Sequence, residues 1–141
     1  ELAEKFLALS EAERRGARLL FVGDGDRRAA LESLAAKSGD AIRVLGQLPP
    51  EEVRRVLWAA DAFVLNTRLD PNPLSAIEAA AAGLPIVMSA AAGNIREVVE
   101  APNAGFVIRG HDRYQRIVFI GFKQMFHMIQ INHPIRVHIN Q

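Results

Sequence analysis

Between Ala17 and Ile108 the sequence alternates short apolar runs with amphipathic segments, and only a few residues join one to the next. Ala17 to Val22, Ile42 to Leu45, Ala62 to Leu65, Leu84 to Met88 and Gly105 to Ile108 read as strands, the first a continuous apolar run of the kind covered on both faces. Between them, apolar residues recur at helical spacing: Ala30, Leu31, Leu34 and Ala35 within Asp26 to Lys37, and Val53, Val56, Leu57 and Ala60 after Pro49-Pro50-Glu51-Glu52. A third set, Leu74, Ala76, Ile77, Ala80 and Ala81, runs up to Gly83. Asn94 precedes a short helix, Ile95 to Glu100, and Glu1 to Gly16 reads as one charged amphipathic helix. Trp58 is expected to be partly buried. Strand–helix alternation with short loops specifies an α/β fold with a doubly wound, Rossmann-like parallel sheet. Ligands of such sheets bind off the carboxyl ends of the strands, where Asp24, Asp70 and Gly93 fall.

The stretch from Asn66 to Ser89 carries the most chemistry. Asp70 sits in a polar loop bracketed by prolines, Asn72 reads as an N-cap, and Pro73 suits a first helical turn. The amides of Leu74, Ser75 and Ala76 then form an anion site at the helix N-terminus, with the Ser75 hydroxyl beside them. Glu78 falls about 7–8 Å further along the helix axis. Carboxylates only accept hydrogen bonds and suit pairs of sugar hydroxyls. A diphosphate at this terminus would have Asp70 towards one end and Glu78 towards the other, a cradle for a nucleotide sugar with its hexose near Asp70 and its ribose near Glu78. The simpler alternative makes Asp70 a turn residue and Glu78 an exposed helix residue. The apolar flanks of Glu78, Ile77 and Ala79 to Ala82, argue for a partner or ligand. Gly23-Asp24-Gly25 follows the first strand directly and lets backbone approach a ligand, or makes a tight turn. A dinucleotide fingerprint is not met, because Arg28 stands where its third glycine should be.

DPNPLSAIEAAAAGLPIV, residues 70–87, resembles the acid-x7-Glu region of retaining GT-B glycosyltransferases of the glycosyltransferase 4 type. LLFVGDGDRR, VLGQLPPEEV, DAFVLN and AGNIREVVEAPNAGFVI resemble further landmarks of that family in the same order. The resemblance covers residues 17 to about 110. It implies the C-terminal, nucleotide-sugar-binding half of a two-domain hexosyltransferase. Asp70 would contact the donor sugar in the catalytic position, Glu78 the ribose, Leu48 the base, and the loop at Gly93 phosphate or sugar. Asp70 replaces the usual Glu, Pro71 and Pro73 replace glycines, and Ala92 stands where many relatives have a second glycine. The family's basic Arg and Lys pair and its acceptor domain would precede Glu1, and so would a strand normally internal to the sheet. The expectation is therefore of a fragment whose sheet halves are separated unless another segment fills the interval.

Composition changes near Asp112. All 16 acidic residues precede Arg113, all four histidines lie from His111 onwards, and alanine stops at Ala104. The division expected is a partial nucleotide-sugar-binding domain over 1–112 and an atypical, basic, alanine-free tail over 113–141. Arg116 to Phe122 and Pro134 to Asn140 read as strands, and Lys123 to Gln130 is ambiguous. The tail admits three readings: a continuation in a shifted reading frame, a divergent extension that pairs with the sheet, or a basic apolar surface for a membrane or partner. His127, His133 and His138 match no standard metal spacing, so neither metal nor cofactor is expected. With no cysteine, a disulfide scaffold is excluded. A net charge of +1 makes no case for nucleic acid. The function expected is donor binding for retaining sugar transfer to an unknown acceptor, in the cytoplasm or peripheral to the inner membrane face, with the isolated chain inactive. A non-catalytic nucleotide-sugar-binding module and a sugar-nucleotide epimerase of similar architecture are the alternatives.

Overall fold

The computed structural model describes residues 2–109, 116–119 and 136–140. Seven strands form one sheet: β1 (Arg18–Val22), β2 (Ile42–Gly46), β3 (Ala62–Leu65), β4 (Ile86–Ser89), β5 (Gly105–Arg109), β6 (Arg116–Phe119) and β7 (Arg136–Asn140). Their order across the sheet is β2-β1-β7-β3-β4-β5-β6. Every pairing is parallel except β5 with β6, which closes one edge antiparallel. Helices α3 (Arg28–Ala36), α4 (Pro50–Ala59) and α5 (Leu74–Ala81) make the crossovers. Right-handed crossovers put α3, which steps outward from β1 to β2, on the face opposite α4 and α5, which step the other way. The α/β, doubly wound reading therefore holds.

Local chemistry explains most boundaries. Pro49 caps α4, and its carbonyl accepts from the amides of Glu52 and Val53 (2.9 and 3.0 Å). Glu51 and Glu52 place negative charge in the first turn, where the helix dipole favours it. Gly83, at φ +76°, ends α5. Its amide donates to Ala80 and that of Leu84 to Ala79 (2.9 and 3.1 Å), a Schellman closure. That closure consumes the Leu84 N–H, and Pro85 has none, so β4 starts at Ile86 and not at Leu84 as read from hydropathy.

Other boundaries differ from expectation. The first helix is two, α1 (Leu2–Ala8) and α2 (Glu11–Arg14), because Ser10 starts a new one through a reciprocal capping box with Glu13. The Ser10 hydroxyl, and after it the Ser10 amide, donate to the Glu13 carboxylate (both 2.7 Å) and hold that carboxyl below the usual range. Residues Arg96–Glu100 wind as a π-helix, its amide from Ala101 reaching five residues back to Arg96 (2.8 Å). Trp58 is 71% exposed, on the outer side of α4, and not partly buried. The ambiguous segment Lys123 to Gln130 lies outside the described residues.

Two apolar clusters flank the sheet. Phe63, Leu65, Ile86, Met88, Val99 and Val107 dominate the larger one, under α4, α5 and the π-helix. Ala3, Leu19, Phe21, Leu31 and Ile42 make the smaller one, between β1, β2, α1 and α3. Between the halves runs β7, pairing Arg136 to Asn140 with Arg18 to Val22 on one side and Val137 to Ile139 with Ala62 to Val64 on the other.

Strand β5 approaches β4 so closely at its first residue that a Cβ at Gly105 would collide with the Ile86 carbonyl. Gly105→Ala should lower stability by about 2–3 kcal/mol, read as a fall in the urea midpoint at unchanged slope. Gly25, where a Cβ meets nothing within 4 Å, should tolerate alanine with no measurable change.

Candidate functional site

All parallel strands end on one edge of the sheet, and their carboxyl-terminal loops meet there. Gly23 leaves β1 at φ +119°, and its amide donates to the Gly46 carbonyl at the end of β2 (2.8 Å). Gly46 itself sits at φ +69°, with the Arg28 guanidinium packed where a side chain would begin. Arg28 donates to Glu32 (2.8 Å) and to Asp24 (3.4 Å), and those bonds raise its pKa above the ordinary guanidinium value, Glu32 first.

The loops after β3 and β4 are laced together by backbone. The Gly93 amide donates to the Asp70 carbonyl (2.9 Å), and Asp70 and Ala92 form a parallel bridge. A Cβ at Gly93 would collide with the Pro71 carbonyl, so glycine is required there. Two side chains reinforce the seam. The Ser89 hydroxyl donates to the Thr67 carbonyl (2.6 Å), and the buried Asn94 amide donates to Asn72 Oδ1 (3.1 Å) and the Pro73 carbonyl (3.2 Å). Asn94 Oδ1 accepts no hydrogen bond among the described residues.

These contacts revise the start of α5. Pro73 is the N-cap, and Asn72, expected to cap, is drawn sideways to Asn94. The Ala76 amide bonds back to the Pro73 carbonyl (3.2 Å), so it is not the third open donor. The amides of Leu74 and Ser75 have no backbone acceptor among the described residues. The Asp70 carboxylate accepts from the Asn72 amide (3.2 Å) in a tight turn.

Two concavities flank α5. The first, about 170 Å³, is lined by Val22, Gly23, Gln47 and Leu48 on the β1–β2 side, by Val53 and Leu57 of α4, and by Phe63, Ser75 and Glu78 opposite. Glu78 is exposed and forms no side-chain hydrogen bond or ion pair among the described residues. The second, about 560 Å³ and more open, lies between α5 and the π-helix and includes Asn72, Gly93 and Glu97. The structure thus brings Gly23, Leu48, Ser75 and Glu78 together. It places Asn72 and Gly93 on the other side of α5, Asp70 on the seam between the loops, Leu74 out in solvent (67% exposed), and Gly25 outside both hollows. The sequence does not single out Gln47, and it points to Asn94 only as the cap of the short helix that follows. An asparagine after a small-residue loop is the only signal for Asn94, and it fits a helix cap equally well.

Residues 1–118 match the family model described as glycosyl transferases group 1. The chain belongs to that family. It is 32% identical over 108 residues to a GDP-mannose-dependent monoacylated alpha-(1-6)-phosphatidylinositol monomannoside mannosyltransferase of Corynebacterium glutamicum, covering 72% of this chain and 28% of that protein. Over 105 residues it is 36% identical to a D-inositol 3-phosphate glycosyltransferase of Nocardia farcinica, covering 70% and 23%. Among solved structures it is similar to WaaG, a glycosyltransferase involved in lipopolysaccharide biosynthesis, with a TM-score of 0.64 and 26% identity over 78% of this chain and 29% of WaaG. This group 1 glycosyltransferase chain therefore spans about a quarter of its curated relatives' length. The fold is that of GT-B glycosyltransferases.

Asn94→Ala removes the side-chain tie between the two loops. It should cost about 1 kcal/mol of stability, and amide exchange should accelerate over residues 67–73 while β4 and β5 keep their protection.

Proposed function

We propose that the chain is the donor-binding part of a retaining glycosyltransferase of the glycosyltransferase 4 type, and that the first hollow takes the nucleoside of a nucleotide-diphospho-sugar. The observation that carries this reading is Glu78: a carboxylate with no protein partner among the described residues, set in a cleft beside Ser75 and one turn from the open amides of α5. At about 170 Å³ the cleft is smaller than the roughly 300–1,000 Å³ of ordinary ligand pockets, so it suits one moiety of a larger donor.

In this arrangement the base lies against Gly23 and Leu48, and Glu78 accepts from the two ribose hydroxyls. The diphosphate meets the Leu74 and Ser75 amides, where aligned peptide dipoles favour negative charge. The sugar extends towards Asp70 and the Gly93 loop. Cleavage of the bond between the anomeric carbon and phosphate adds negative charge to a diphosphate that is already anionic, and fixed amides aimed at the leaving oxygen stabilise that added charge more than they stabilise the ground state. Asp70 orients the hexose, its carboxylate already turned by the Asn72 amide. No metal or cofactor is assigned a part. The acceptor domain of the whole enzyme is the proposed partner. Cytoplasmic placement, with or without peripheral contact to the inner membrane face, is proposed with it; among the described residues no helix is long and apolar enough to cross a membrane.

Calorimetric titration with UDP, GDP and ADP, each beside its sugar conjugates, tests the reading. One nucleotide should bind, and Glu78→Ala should weaken it about tenfold or more, the loss of hydrogen bonds to a charged group at roughly 1.5–3 kcal/mol, with the fold intact by circular dichroism. A folded chain that binds none of the three would sink the proposal.

A further inference from the structure

Helix α4 has two chemically different faces. Val53 and Leu57 turn inward and line the first hollow, and Leu57 is buried. Glu51, Arg54, Arg55 and Trp58 stand three, four and seven residues apart, so they share the opposite face, and all four are exposed. Trp58 is the chain's one tryptophan and is 71% exposed, although an indole ordinarily loses most of its surface on folding. Arg54 and Arg55 lie one turn before it. Neither makes a hydrogen bond or an ion pair among the described residues, whereas Arg28 is engaged by Glu32 and Asp24, and Arg18 and Arg43 by Asp40. Two unpaired guanidiniums thus flank an uncovered indole on one convex surface.

We propose that this face docks on the headgroup layer of an anionic phospholipid bilayer, with the Trp58 indole at the interface and Arg54 and Arg55 on lipid phosphates. The proposal stands apart from the nucleotide reading, since none of the three residues lines the hollow. An indole has an apolar body and one N–H, and it settles where hydrocarbon meets water. A guanidinium is a planar fork of donors that fits phosphate oxygens. This face serves a protein partner less well. A protein interface of about 800 Å² a side is built round an apolar centre, and besides Trp58 and the two arginines the exposed residues of α4 are Glu51, Glu52 and Ala59. Nucleic acid is held through many phosphates at once, and two cations on a chain of net charge +1 supply little of that field. The helix also sets the orientation. Pro50 starts α4 beside the carboxyl edge of the sheet, and Trp58 lies about 12 Å further along the axis. Glu51 and Glu52 occupy the end nearer the candidate site, where an anionic surface repels them. The helix therefore docks by its C-terminal half, and the loops around the cleft stay raised towards water.

Vesicle binding by the full chain, followed through the emission of its one tryptophan, tests this. Vesicles of phosphatidylcholine mixed with phosphatidylserine should sediment the chain at low salt, shift Trp58 emission to the blue and let a headgroup-level spin label quench it. Vesicles of phosphatidylcholine alone should do none of these, and added salt should weaken the binding by screening. Arg54→Gln and Arg55→Gln should each weaken it about fivefold, the attraction of one cation to an anionic leaflet. Trp58→Ala, read by sedimentation, should weaken it further. All three positions are exposed, so the variants should keep the wild-type circular dichroism. The basic tail over 113–141 is a rival anchor, and the fluorophore separates the two. A chain that sediments with vesicles while Trp58 keeps the emission of a solvated indole binds by another surface, which overturns the proposal. So do equal binding to the two kinds of vesicle, arginine variants that bind as wild type does, and a chain that binds neither vesicle. An oligonucleotide that shifts the emission at lower concentration than the lipid overturns it in favour of nucleic acid. An indole already shielded in the free chain shows that another segment covers this face, and overturns it too.

Discussion

Backbone groups at the centre of this sheet have no water to turn to, and that obligation organises the molecule. Phe63, Ile86, Met88 and Val107 are wholly buried, so the strands carrying them must satisfy their amides and carbonyls on neighbouring strands. Parallel pairing follows from the crossover helices, and parallel pairing gathers the strand ends on one edge. The candidate site residues are there because the loops are there, and the loops are there because the ladder runs one way. Even the close approach at Gly105 serves this end, bringing β5 against β4 where a larger residue would hold them apart.

At that edge the loops are not left to themselves. The Asp70–Gly93 pairing continues the parallel contact of β3 and β4 past the ends of the strands, and Ser89 and Asn94 tie it from both sides. Asp70 therefore sits on a loop but is held like part of the scaffold, as the role proposed for it requires. Among the described residues, the cleft beside it offers a carboxylate without a protein partner and open amides, and no basic side chain lines it. Arg28, the cation at its margin, is already engaged by Glu32 and Asp24. The charge available to an anionic ligand here is that of the helix terminus.

The alternating part of the fold was legible because its signals are local. Hydropathy marked β1 to β5, Pro49-Pro50-Glu51-Glu52 marked the start of α4, and Gly83 marked the end of α5, each within a few residues. Contacts that cross the sequence were not legible. Asn72 looks like a cap until Asn94, remote in sequence, claims its side chain, and no spacing rule announces that claim. Ser10 was lost inside a longer amphipathic pattern because helical periodicity continues across the break. Trp58 follows the rule that large apolar residues are buried, yet the inward face of α4 is already filled by Leu57 and Val53. The alternation of 134–140 announced a strand but not its neighbours, and a half-buried edge and a central place look alike in one dimension.

The position of β7 bears on how the chain acquires its fold. Leu20 pairs with His138, more than a hundred residues away, so the centre of the sheet is its least local part. Contacts of such separation form slowly, because loop closure must be met before they contribute anything. On the ribosome, β1 and β2 emerge early and can pair, while β3, β4 and β5 can assemble as a second unit. Among the described residues, the strand that pairs with both is β7, the last of them. A parallel edge left unpaired is a template for the wrong partner. Between synthesis of β3 and arrival of β7 the contacts of β7 with β1 and β3 are still unmade, so the least local pairing in the described sheet is also the last to form.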